Sequence, residues 1–563
     1  MMRQKPPAVC FFRAMRKQHV IAKVMACSLL LVLSGCNIPK LRHPDPLPGL
    51  PGDFNGATSE NNSAQIGVDE FFNDPVLLEL ISEGLASNLE LKLRNQEVEI
   101  AANEILARRG AYLPFITGGG RGGVDRNSRF MPLGAAEDQL TFPGGGRYPD
   151  PLPNVLLSAD LFWQVDIWRQ LRNARDAAIQ RYCRAVEARN YFITRLIAET
   201  AEKYFELAAL DKRLVFLDQN IEIQQRSLEV ARFQKNAGRG TELAVQRFLA
   251  EVRKSESQRL IVRQSIIEVE NRINFLVGRY PQPVQRTAWD LIQLDRNILS
   301  VGVPAQLLQN RRDIRAAEHE LEASGLDVLV ARARFFPRLD LTARVGAEAF
   351  NPRYLLDPGA FIAGAAGEMV GPVINKMAIQ ADYMSANARQ LQALYDYQRT
   401  ILNAFTEVIN SMAKVQNYGG SVAIKQEQVT ALEKSVSVAL ELFTLPTGDE
   451  FAKVEYVDVL LATRDLLEAR TALIETKQQQ LAGIIYAYQA LGGGCVMSNS
   501  GEYGEFLQPT IVDPALPPGD KDEKPPQPEA PEVPKDADKR KAPQGVRVSD
   551  MGGRAWTEGK ARG

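Results

Sequence analysis

The stretch Arg338-Leu339-Asp340-Leu341-Thr342-Ala343-Arg344-Val345-Gly346-Ala347-Glu348-Ala349 alternates without a break. Successive side chains of an extended chain point to opposite sides. Leu339, Leu341, Ala343, Val345, Ala347 and Ala349 therefore share one face, and Arg338, Asp340, Thr342, Arg344, Gly346 and Glu348 share the other. A half-buried soluble sheet also alternates. Two features favour a wall between lipid and water. The polar face is dense in charge, and the segment is at least as long as the roughly 9–11 residues of a tilted transmembrane strand. Arg338, Asp340, Thr342, Arg344 and Glu348 are then the lumen-facing side chains of a membrane strand.

Working outward, this strand belongs to a plan that occurs twice. A helical stretch at about 73–110 leads through Ala111-Tyr112-Leu113-Pro114 into a β-like segment, as one at about 304–334 leads through Arg334-Phe335-Phe336-Pro337. Return strands are expected at about 154–167 and 360–374, the first after a Gly-rich tip (Gly118 to Gly123, Gly144 to Gly146). Aromatics at Phe162, Trp163, Phe350, Tyr354 and Phe361 flank the hairpins, at positions suited to an interface or to packing. Very long helices follow at about 168–236 and 375–444, then shorter ones at about 242–277 and 455–491. Leu276-Val277-Gly278 and Ala490-Leu491-Gly492 are 214 residues apart, and so are Leu243-Ala244-Val245 and Val457-Asp458-Val459. One offset at both ends of an element argues for duplication, with repeats at 69–285 and 286–494.

The helices carry a coiled-coil seam. Val245, Phe248, Val252, Ser255, Arg259, Val262, Ile266, Val269, Ile273 and Leu276 step by three and four, and Val459, Ala462, Leu466, Ala469 and Leu473 continue the phase in the second half. A continuous helix of nearly 70 residues would reach roughly 100 Å. Four strands cannot close a barrel, and open sheet edges are not tolerated in lipid. Copies of the chain must therefore pool strands. Eight strands would leave an interior just filled by side chains, so a charged lumen favours twelve.

Composition conceals this plan. The chain has 563 residues, 45% apolar and 24% charged, with 67 basic against 68 acidic side chains. That balance gives no global basic signal for nucleic acid. Residues 1–35 hold six of the basic residues and no acid, and removing them leaves a formal net charge of −7. This leader has an apolar run from Val24 to Leu33, too short to span, ending at Leu33-Ser34-Gly35-Cys36. Residues 36–68 are Pro- and Gly-rich and suit an extended tether. Residues 495–563 form a Pro-rich charged tail expected to be disordered. No nucleophile–base pair, metal set or phosphate-binding loop appears, so neither an enzyme nor a cofactor is expected. His319, with Arg315 and Glu322 nearby, reads as part of a solvated helix face.

The Leu-Ser-Gly-Cys box, the duplicated helix–hairpin–long-helix units and the tip sequences together resemble the TolC-like outer-membrane efflux proteins, in their lipoprotein (OprM-type) branch. The resemblance covers about residues 69–494. It implies a homotrimer whose mainly α-helical chains each give four strands to a twelve-stranded outer-membrane barrel above a periplasmic helical tunnel. It implies acylation of Cys36, including palmitate, and an exit duct served by a periplasmic adaptor and an inner-membrane transporter. Ala237-Gly238-Arg239-Gly240-Thr241-Glu242 resembles the turn of the first long hairpin, and Gly448 and Asp449 lie in the second, longer turn. Gly238, Arg239, Gly240, Thr241, Gly448 and Asp449 are then the adaptor-docking tips. Asp458 matches an acidic position of the family's periplasmic constriction and Arg464 a basic one. Leu461 stands where a second carboxylate is usual, which implies a more hydrophobic closure with weaker attraction for cations. The same architecture serves type I protein secretion, and a poreless periplasmic coiled-coil scaffold is the alternative from another class.

Overall fold

Each half opens with a helical stretch that breaks at a single residue. The computed structural model describes residues 38–43, 49, 51–54, 63–137, 139–238, 240–291, 302–372, 374–444 and 456–494. The leader, Cys36, Arg239, Gly448, Asp449 and the tail 495–563 lie outside the described residues. Helix α1 spans Pro75–Ser87 and α2 spans Leu89–Ala111. The stretch read as one helix over 73–110 is thus two. Asp74 caps α1, accepting from the Val76 and Leu77 amides at 3.0 and 3.3 Å, with Pro75 in the first turn. Asn88 leaves the helical region and caps α2 through the Leu91 amide at 2.8 Å.

The chain continues through β1 (Phe115–Asp125), β2 (Leu152–Val165), α3 (Gln170–Asn236) and α4 (Glu242–Val277). The second half repeats the order with α5 (Arg312–Ala333), β3 (Arg338–Ala349), β4 (Phe361–Val370), α6 (Met377–Thr444) and α7 (Tyr456–Ala490). Its stretch read as helical over 304–334 breaks at Arg311, which takes up an extended conformation after the one-turn helix Leu307–Asn310. The two halves match in helix length: 23 against 22 residues for α2 and α5, 67 against 68 for α3 and α6, 36 against 35 for α4 and α7. At 1.5 Å per residue α3 and α6 are each about 100 Å long. The seam of α4 is buried at all the positions named above except Arg259, which pairs with Asp218 on α3 at 3.4 Å.

The largest apolar cluster lies where the halves meet. The Tyr488 ring of α7 stacks on Phe71 with centroids 4.0 Å apart, and its hydroxyl donates to the Ile66 carbonyl at 2.6 Å. Beside it the buried Tyr204 of α3 donates to Asp74 at 2.9 Å and accepts from the Thr287 amide at 2.9 Å. Asp74 thus caps a helix and anchors a long-range network with the same carboxylate. Burial first, and then the bond to Asp74, raise the Tyr204 hydroxyl above its ordinary pKa.

Two expectations change. The segment after Cys36, read as a tether, is docked where it is described. Ile38 and Leu41 pack on Val328, Phe335 and Tyr383, and the Arg42 amide donates to Asn387 Oδ1 at 3.0 Å. Further on, Phe54 stacks on Phe405 with centroids 5.3 Å apart. The segment therefore touches α6 at two points 18 residues apart, about 27 Å of helix. His319 is not on a solvated face. Its Nδ1 lies 2.8 Å from Gln180 Oε1, between α5 and α3. A half-buried imidazole joins two helices there, and charge density along the sequence does not reveal the opposing amide.

The four strands form one antiparallel sheet in the order β1-β2-β3-β4. Thr117 stands opposite Asp160, Asp160 opposite Arg344, and Arg344 opposite Gly364. The first and last strands are edges within the described chain.

Candidate functional site: a two-faced sheet and a helical tip

Residues paired directly across an antiparallel sheet point to the same side. The register therefore joins the odd-numbered residues of β1 to the even-numbered residues of β2, β3 and β4. Every charged residue of the four strands falls on this one face: Arg121, Asp125, Asp160, Arg338, Asp340, Arg344, Glu348 and Glu368. The other face carries Val, Leu, Ile, Ala, Gly, Pro and Met with the aromatics Trp163 and Phe361, and no charge. The five β3 side chains singled out from the sequence all lie on the charged face.

These charges are organised across the strands. Arg344 Nε reaches Asp160 Oδ1 at 2.5 Å, and Ser158 Oγ donates to the other Asp160 oxygen at 2.9 Å. Arg338 pairs with Asp340 at 2.9 Å, and Asn154 donates to Glu348 at 2.7 Å. Reading β3 alone missed Asp160, Arg121 and Glu368. Their chemistry is plain in the sequence, but which face they join depends on a register that spans up to about two hundred residues of chain. On the apolar face Ile116, Leu157 and Met369 are more than half exposed. At one end of the sheet Phe142, Tyr148, Phe350 and Tyr354 form a ring cluster with centroid distances of 5.2 to 6.2 Å, tying the β1–β2 and β3–β4 connections together. Phe350 and Tyr354 therefore pack, whereas Phe361 stays exposed on the apolar face.

The far ends of the long helices carry the tip residues. Gly238 adopts φ +71°, the Gly240 amide donates to the Gln234 carbonyl at 3.1 Å, and Thr241 caps α4 through the Ala244 amide at 3.3 Å. Lys235 pairs with Glu242 across the turn. Bonds from Gln246 and then Lys235 hold the Glu242 carboxyl below its ordinary range. Just inside the turn Leu228, Val245, Phe248 and Val252 form a small core against which Leu460 of α7 packs. Phe248 also meets Phe443 of α6 at 6.4 Å. The two helical hairpins are thus in contact near this end.

Asp458 and Arg464 are exposed on the first turns of α7, and Leu461 is 42% exposed. Arg464 Nη2 reaches Asp465 Oδ1 at 3.3 Å. Asp458, Leu461, Asp465 and Glu468 are all exposed and follow the spacing of one helix face. A second carboxylate does stand on this stripe, then, one turn beyond Leu461. The seven-residue step from Asp458 to Asp465 was the signal available in the sequence.

Between α3, α6 and α7 a polar cavity of about 660 Å³ is lined by residues that include Arg195, Glu202, Arg311, Glu407, Lys414 and Tyr486. Tyr486 donates to Glu202 at 2.5 Å, and burial followed by that bond raises its hydroxyl well above the ordinary value.

Comparison with known proteins gives a consistent result. The family model described as outer membrane efflux protein matches residues 80–279 and 303–493. The solvent efflux pump outer membrane protein SrpC of Pseudomonas putida is 26% identical over 479 residues, covering 84% of this chain and 98% of its own length. The "Probable outer membrane lipoprotein SilC" of Salmonella typhimurium is 22% identical over 480 residues, covering 84% and 99%. Among solved structures, the CmeC outer membrane channel of Campylobacter jejuni superposes with a TM-score of 0.72 at 18% identity, covering 84% of this chain and 98% of that one.

Proposed function

The chain belongs to the outer membrane efflux protein family and is an outer-membrane channel of an efflux system, and from that premise we propose that three copies pool their strands into a twelve-stranded barrel anchored by acyl chains on Cys36. The observation that carries this reading is a sheet with all its charge on one face and an unpaired strand at each edge. The apolar face meets lipid and the charged face lines the lumen. The edges β1 and β4 need partners, because unsatisfied backbone groups cost several kcal/mol each in hydrocarbon. Copies of the same chain supply them, and twelve strands leave room for a charged passage where eight do not. Uncovered apolar residues along α6, among them Tyr395, Leu402 and Ile424, support burial against a neighbouring copy.

Cys36 precedes Ile38 by two residues, and Ile38 docks beside Phe335, three residues before β3 begins. Two residues reach at most about 7 Å. Acyl chains on Cys36 would thus enter the membrane at the level where the strands start, and the description of SilC as a lipoprotein agrees. The long helices then run into the periplasm. Asp458, Leu461, Asp465 and Arg464, repeated about a threefold axis, constrict that end. The tips at Gly238, Arg239, Gly240, Thr241, Gly448 and Asp449 receive a periplasmic adaptor, which joins the duct to an inner-membrane transporter. The passengers are small molecules. SrpC, named for a solvent efflux pump, is a relative of this kind.

Purified protein in planar bilayers tests the reading. The expected result is a heat-modifiable trimer with discrete conductance steps. A monomer that is soluble after removal of its acyl chains would overturn it. Labelled palmitate should enter the wild type and be absent from Cys36→Ser.

A further inference from the structure

We propose that Arg169 and Arg175, at the corner where β2 turns into α3, bind the phosphate of an anionic phospholipid of the phosphatidylglycerol type in the periplasmic leaflet of the outer membrane. The inference rests on the channel reading for the direction of the membrane. Its chemistry comes from the corner itself. Arg175 donates to one Asp176 oxygen through Nε at 2.9 Å and Nη2 at 2.6 Å, and Arg169 Nη2 lies 3.7 Å from the other oxygen. Two guanidinium groups share one carboxylate, which leaves one positive charge in a mature chain of net charge −7. The charge of their neighbour Arg172 is balanced by a carboxylate of its own, Asp166, which accepts at 3.2 Å through the side chain and at 2.7 Å through the carbonyl. The side chain of Arg169 is 62% exposed.

The surroundings set this charge at headgroup depth. Arg175 lies over the Tyr112 ring at 5.7 Å and donates to its hydroxyl at 3.3 Å. The Tyr112 carbonyl in turn accepts from Trp163 Nε1 at 3.1 Å. Trp163 is on the apolar face of the sheet, so this chain of contacts leads from the lipid-facing surface directly to the two arginines. Indole rings with a bonded N–H favour the boundary between hydrocarbon and headgroups. Trp168, next to Arg169, stacks on Phe336 at 4.7 Å and donates to the Pro337 carbonyl at 2.7 Å, so the same level is marked twice. Arginine forks match phosphate oxygens in geometry and charge. A zwitterionic headgroup brings an ammonium that the second guanidinium repels, so an anionic lipid is preferred.

The test uses full-length acylated protein in detergent, offered phosphatidylglycerol or phosphatidylethanolamine, with retained lipid counted by native mass spectrometry. The wild type should retain phosphatidylglycerol preferentially. Arg169→Gln/Arg175→Gln should lose that preference by about fivefold or more, as expected for surface charges near a membrane. Arg126→Gln, in the β1–β2 connection at the other end of the strands, should keep it. Equal retention of both lipids by the wild type, or an undiminished preference in the double variant, would overturn the proposal. A measurement on the wild type alone covers poor folding of the variant: brominated phosphatidylglycerol should quench tryptophan fluorescence more than brominated phosphatidylethanolamine, and equal quenching would also overturn the site. Failure of the channel reading shows separately, as absence of conductance.

Discussion

The guanidinium of Arg311 donates through Nη1 to the main-chain oxygen of Ala490 at 3.2 Å. In the first half Asn88 Nδ2 donates to the oxygen of Leu276 at 2.7 Å. Leu276 and Ala490 are 214 residues apart, the offset of the duplication. Both donors sit at the break before the inbound helix, α2 or α5, and both satisfy a carbonyl at the C-terminus of the last helix of their half. The two halves have kept one structural task and changed the side chain that performs it.

That change has unequal consequences. Arg311 is almost fully buried and also holds Asp313 at 2.6 Å and Glu407 at 2.7 Å. Burial opposes its charge, but the two carboxylates outweigh burial and raise its pKa. Arg311→Ala should cost about 2–4 kcal/mol, at the lower end of buried-pair losses because Glu407 is half exposed. Asn88→Ala loses a neutral cap and a carbonyl bond, about 1–2 kcal/mol. Thermal melts of the two variants should keep that order.

Gly278 ends α4 with φ +80°, and a Cβ there would come 2.5 Å from the Ser87 carbonyl oxygen. Gly238 at the tip has φ +71° and open space around it. Gly238→Ala should therefore carry only the left-handed backbone cost of about 1–2 kcal/mol. Gly278→Ala adds a clash with main chain and should lose more, read as a larger fall in melting temperature.

The two faces of β3 can be told apart by one substitution on each. Val345→Arg puts a guanidinium on the apolar face and should cost about 2–4 kcal/mol if near the bilayer midplane. Thr342→Arg adds the same group to the charged face and should assemble normally while shifting ion selectivity toward anions. Equal assembly yields for the two would contradict the assignment of faces.

At the start of α7, Leu461→Asp adds a carboxylate between Asp458 and Asp465 on the exposed face. Reversal potentials under a salt gradient should move toward cation selectivity. Asp465→Asn should move them the other way and release Arg464 from its partner. Unchanged potentials in both would remove this stripe from the permeation path.

Much of this architecture was legible in the sequence because its signals are local. Alternation in β3, the three-four seam of α4 and the Gly ends at Gly278 and Gly492 each depend on neighbours within a few residues. The breaks at Asn88 and Arg311 were missed because helical periodicity continues across them, and the bonds that favour a break come from 188 and 179 residues away. Asp465 was not singled out for a different reason, since spacing along one helix does not say how many turns of an exposed face act together.

The sequence by itself determined the duplication, the kind and approximate limits of each long element, and which residues of one strand share a side. Those properties follow from backbone periodicity, which is a property of the local chain. Only the tertiary structure decided which side of β1 goes with which side of β2, β3 and β4, so that Arg121, Asp160, Arg344 and Glu368 come to one face. It also decided that the segment beginning at Ile38 lies against α6 and that Arg169 and Arg175 meet at one carboxylate, with Tyr112 linking Arg175 to Trp163. These are choices of register and docking, where a one-residue slip would exchange the faces of a strand.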